Sequence, residues 1–180
     1  MVLIFFIGLI GVVLVLFMKR PIIGSFGENN KLVKRLNNAA WFQNHWLSGM
    51  FLFALNAGMF FLTWLVLYGL TLLFIPFVHI LVMFAAVIGS IVLWILIHKA
   101  WSGTKRERLK MGAVGSSFYM ILTFVFVYLL LTLKPAFPGD DTFMRALGIE
   151  LAIIVTIVAF VACFVITGFS KREGGKWPGI

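Results

Sequence analysis

The 180-residue chain is 62% hydrophobic and only 12% charged, with a formal net charge of +9 and a mean hydropathy of +1.09. A soluble domain carries about 25% charged residues, so this composition excludes a soluble globular protein and makes lipid the solvent for much of the chain. The basic residues sit in short clusters between apolar runs, which reads as anchoring against anionic headgroups and not as a nucleic-acid footprint.

The first run, Met1–Met18, is almost unbroken and ends at Lys19-Arg20-Pro21. A cleaved signal has its positive charge before the apolar core; here the charge follows, so a retained span over about 2–18 is expected, N-terminus outside. Gly8 and Gly11 offer a neighbouring helix a close approach.

The next stretch, Pro21–His45, is the longest polar interval. Asn30 suits a helix N-cap. Leu32, Val33, Leu36 and Ala40 then fall at helical spacing, with Lys31, Lys34 and Arg35 on other faces. This predicts a short amphipathic helix over about 30–44, lying in the interface with its basic side chains at the headgroups. A docking surface for a partner is the alternative reading.

The second span covers about 46–67, framed by Trp41 and Trp46 at one boundary and Trp64 and Tyr68 at the other. Asn56 falls near its middle, and an amide at that depth requires a partner. Ala54 and Gly58, at small-xxx-small spacing beside it, are expected to supply the packing face. A tight turn at Tyr68–Thr71 leads into a third span over about 72–98, with Ala85 and Gly89 four residues apart and Trp94 and Trp101 at its end. The basic turn after it holds Lys99, Lys105, Arg106, Arg108 and Lys110, the last four expected at headgroups.

The fourth span, about 112–133, opens with Gly112, Gly115, Ser116 and Ser117, a small-residue face on which Gly112 and Ser116 are expected to pack. After a Pro- and Gly-containing loop, in which Asp140 and Asp141 read as helix-start residues, the fifth span covers about 143–169. The tail 170–180 follows. The reading is an all-α integral membrane protein of one polytopic domain, a bundle of five transmembrane helices plus one interfacial helix. The inside segments then collect every basic residue except Lys134 and Arg145, which fixes the orientation with the C-terminus cytoplasmic. Without a targeting signal the expected compartment is a bacterial-type plasma membrane.

Two constellations carry candidate chemistry. His79 and Glu150 each lie about nineteen residues above the basic end of their span, hence at similar depth, with Tyr128 near the same level. With Asn56 they suit a proton relay or a polar-ligand site; alternatively they mark the outer water interface. His45 and His98, at the basic ends of spans two and three, suit haem or a metal between facing helices, or are ordinary interfacial residues. The lone Cys163, inside an apolar run, excludes an intramolecular disulfide and reads as a packing residue. No phosphate loop, metalloprotease or nucleophile-elbow motif occurs. The leading expectation is therefore a non-enzymatic accessory or assembly subunit, cofactor-free, with a membrane-protein partner or a homo-oligomer. A proton-linked transporter comes second and a haem-b cytochrome third.

Overall fold

The computed structural model describes residues 31–73, 77–135 and 141–169. The expected first span, the Asn30 cap, Asp140 and the tail 170–180 lie outside the described residues. Within them the secondary structure is helical, without strands. Among the described residues, four helices are long and apolar enough to cross a membrane.

Helix α1 is Lys31–Asn37, followed by a 3-10 turn at Ala40–Gln43. The single helix expected over about 30–44 is thus two short pieces. The break falls after Asn37, whose carbonyl and side-chain oxygen both accept from Gln43 Nε2, at 3.0 and 3.4 Å. Gln43 also donates to the Ala100 carbonyl at 3.4 Å and accepts from Ser102, so it ties this segment to the basic turn. Val33 and Phe42 are buried, while Lys31, Lys34 and Arg35 are exposed.

Helix α2, His45–Leu72, starts where the Asn44 side chain accepts from the Trp46 N–H at 3.0 Å. It runs straight through the turn expected at Tyr68–Thr71. A lone glycine among good apolar helix formers does not stop a helix; the stronger breaker is Pro76, which disfavours helical geometry in the residue before it. Helix α3 is Val78–Ala100, entered from Phe77 at φ 66°. Helix α4, Lys105–Leu131, begins about two turns before the expected fourth span. Thr104 and Glu107 form a reciprocal capping box that starts it within the basic turn. Helix α5, Phe143–Phe164, continues as a π-helical turn at Val165–Phe169. Asp141 accepts from the Phe143 N–H at 2.8 Å at its start.

Helix α4 lies between α2 and α5, and α3 joins through α2, α1 and the π turn. The basic residues of α1, of the end of α3 and of the start of α4 define one end of the bundle. The buried core lies nearest that end, in Phe42, Leu52, Ile95, Ile97, Trp101, Met111 and Ile166. Trp94 and Trp101, expected at the end of the third span, belong to this core. Trp41, Trp46, Trp64 and Tyr68 are exposed, as a belt requires.

Candidate functional site

Buried and half-buried polar groups form a ladder along one face of α4. Its rungs are Arg108, Gly115, Tyr119 and Thr123, spaced at multiples of about one or two turns, so they share a face. At the centre is Asn56, brought there by α2. Ser48, Leu52 and Asn56 follow one another at four-residue intervals, and all three are buried.

Asn56 joins all four described spans. Its Nδ2 donates to the Gly115 carbonyl of α4 at 3.0 Å and, more weakly, to Cys163 Sγ of α5 at 3.6 Å. Its Oδ1 accepts from Trp94 Nε1 of α3 at 2.8 Å and from the Tyr119 hydroxyl of α4 at 3.5 Å. A carboxamide has two donor hydrogens and two acceptor lone pairs; here each has a protein partner. The amide therefore holds helices together and has no open valence for a ligand.

Glycines let the helices close around it. A Cβ at Gly115 would overlap the Leu52 side chain, lying 2.7 Å from its Cβ. A Cβ at Gly49 would sit 2.8 Å from Val114 Cβ, and one at Gly112 would sit 2.9 Å from Thr167 Oγ1. Gly112 and Ser116 are both buried. Ala54 and Gly58, expected on the packing face, are both exposed, and a Cβ at Gly58 meets nothing within 4 Å among the described residues. They flank Asn56 at i−2 and i+2, which on a helix turns them to the opposite face. Ala85 is likewise exposed, whereas a Cβ at Gly89 would meet Met59 Cε at 3.3 Å.

At the basic end the ladder receives the π turn of α5. Arg108 Nε donates to the Gly168 carbonyl at 3.2 Å, and His98 Nδ1 lies 3.3 Å from the Thr167 carbonyl. Carbonyls at a helix end lack intrahelical partners and carry the negative pole of the dipole, so cationic and donor groups suit them. Arg108, expected at the headgroups, is therefore buried within the bundle, while Lys105, Arg106 and Lys110 are exposed. Farther up, Thr123 Oγ1 donates to Thr156 Oγ1 at 2.9 Å and links α4 to α5.

The two expected constellations do not assemble through direct contacts. His79 and Glu150 are half-buried and Tyr128 is exposed, and their side chains share no hydrogen bond or ion pair. Asn56 lies in the ladder, engaged with other residues. His98 is buried against the π turn, whereas the His45 ring tilts over Trp46 at 5.7 Å. Among the described residues no three His, Cys, Asp or Glu side chains gather as a metal site. No family model, curated protein or solved structure matches the chain.

Proposed function

We propose that this protein is a membrane-embedded accessory or assembly subunit without a substrate site of its own. The observation that carries this reading is the fourfold engagement of Asn56, which joins α2, α3, α4 and α5. A transport or cofactor site keeps some polar valence available to its ligand; this amide acts as a fastener. The exposed surfaces then do the work of association. They are the outward face of α2, with Ala54, Gly58 and Leu62, and the basic residues Lys105, Arg106 and Lys110. Small residues permit close helix approach in lipid, and the basic end suits anionic headgroups or an acidic partner loop. The setting is a bacterial-type plasma membrane, with the basic end cytoplasmic.

The test is photo-crosslinking in native membranes from Leu62 on α2 and from Arg106 at the basic end. The reading expects both positions to trap the same membrane protein in a discrete adduct. Adducts with lipid alone, together with proton or ion flux by the purified chain in liposomes, would instead favour a small transporter.

A further inference from the structure

We propose that an anionic phospholipid binds at the basic end of the groove between α2 and α4, its headgroup phosphate held by Lys110, His45 and Trp46. Lys110 is one of the basic residues assigned above to association, but this site needs no partner protein and does not rest on the accessory reading. The two helices leave the basic end side by side in the same direction: Gly49 meets Val114, Leu52 meets Gly115, and Phe60 meets Phe118. At Gly49 the helices come so close that an added Cβ would lie 2.8 Å from Val114 Cβ. One turn back along each helix, four residues before these two, stand His45 and Lys110. They therefore share a level, and both act electrostatically on the Glu107 carboxyl. The His45 ring tilts against Trp46 at 5.7 Å, so two helices bring three hydrogen-bond donors to the mouth of one groove.

The described fold does not satisfy these donors. Among the described residues, none of the three side chains has a hydrogen bond or an ion pair. The nearby carboxylate, Glu107, is turned onto the Thr104 hydroxyl and N–H, at 3.0 and 3.2 Å. The other described carboxylates, Asp141 and Glu150, lie at the start of α5, at the opposite end. Arg106, exposed one turn before Lys110, adds to the positive field. The counter-charge then comes from outside the fold, and the surroundings identify it. Trp46 and Met50 are 61% and 62% exposed, and Ile121 and Phe124 farther along α4 are 52% and 68% exposed. In a bilayer such side chains face acyl chains, so the molecule whose headgroup reaches Lys110 is a lipid. A headgroup with its own amine would bring another cation to a site that already has two, which favours a phosphate without one.

Tryptophan quenching tests the site in the purified full chain. The protein is placed in vesicles of phosphatidylcholine and phosphatidylglycerol, with one lipid or the other brominated on its acyl chains. The Trp46 signal is the difference between the native chain and Trp46→Phe. Phosphatidylglycerol should be preferred by about fivefold, the factor expected for one basic residue at a headgroup surface. Lys110→Arg should keep the preference and Lys110→Gln should lose it. Arg35→Gln, which removes an exposed charge from α1, should leave it unchanged. Equal quenching by the two lipids overturns the proposal, and so does a preference indifferent to Lys110→Gln. A preference lost equally in Arg35→Gln overturns it as well, because it would mark a diffuse surface potential. Displacement by soluble glycerol phosphate would mark a site for free phosphate and is equally fatal. Should Lys110→Gln not accumulate, a photo-crosslinking residue at Trp46 in native membranes reads the same contact. An adduct with anionic phospholipid supports the proposal, and any other outcome, a protein adduct included, overturns it.

Discussion

The indole N–H of Trp94 donates to Asn56 Oδ1 at 2.8 Å, and this bond ties α3 to the helix that precedes it. Removing Asn56 leaves Trp94 and the Gly115 carbonyl without their partner in a dry interior. Interhelical hydrogen bonds in membranes average about 0.6 kcal/mol and reach about 1.7. Asn56→Leu, which breaks several, is expected to cost about 1–3 kcal/mol. Trp94→Phe should cost less, and the double variant should reveal coupling between the two. Trp101 provides the control, because its buried N–H has no hydrogen-bond partner among the described residues: Trp101→Phe should carry only the cost of the smaller ring and lose less than Trp94→Phe. Unfolding titrations in mixed detergent micelles measure all four, and equal effects of the two tryptophan changes would contradict the arrangement.

Two glycines in adjoining helices should respond with opposite signs. Gly115→Ala drives a methyl group into Leu52 and is expected to cost about 1–3 kcal/mol. Leu52→Ala in the same chain should recover part of that loss by making room. Gly58→Ala meets nothing within 4 Å among the described residues and should gain up to about 1 kcal/mol from helix propensity. The same micelle titration decides the matter. A destabilising Gly58→Ala would show that a neighbour covers that face in the membrane.

Sequence reasoning located Asn56 because an amide deep in an apolar span has few affordable alternatives to an interhelical partner. It misjudged the face, since Ala54 and Gly58 were grouped with Asn56 by proximity in sequence and not by the helical angle. The turn expected at Tyr68–Thr71 was placed too early, because the helix that starts at His45 continues to Leu72. The capping box was legible, because Thr104 stands three residues before Glu107, and it would have moved the start of α4 into the basic turn. Arg108 was readable too, falling four residues before Gly112 and seven before Gly115, on the face that packs. What the sequence does not encode locally is which helix meets which. Apolar side chains here face both protein and lipid, so periodicity carries little contrast.

The capping box gives a pH-dependent prediction outside the membrane span. The Thr104 hydroxyl and then the Thr104 backbone N–H hold the Glu107 carboxyl below its ordinary range. A depressed carboxylate pKa contributes stability above the unfolded value, and the contribution is lost as pH falls through the folded value. Thr104→Ala should move the Glu107 pKa back up, as read by carboxyl-carbon NMR. It should also shift fraying of the first turn of α4 to higher pH. A Glu107 pKa indifferent to Thr104 would remove the box as its cause.

Arg106 and Arg108 are two residues apart in the same basic turn, yet they should behave differently. Arg108 is buried with its Nε on the Gly168 carbonyl, whereas Arg106 is exposed. Arg106→Gln removes a solvated charge and should alter stability by less than about 0.5 kcal/mol. Arg108→Gln withdraws a charged donor from the end of α5, where hydrogen bonds to charged groups contribute about 1.5–3 kcal/mol. Arg108→Lys should rescue only part of this, because an ammonium lacks the planar fork that reaches a carbonyl from inside a packed turn. The local consequence can be read separately from global stability. With α5's last turn released, a cysteine at Phe169 should react faster with a water-soluble maleimide in the Arg108→Gln chain than in the Arg106→Gln chain. Equal labelling would mean that the π turn is held by other contacts and that the buried guanidinium is not its clasp.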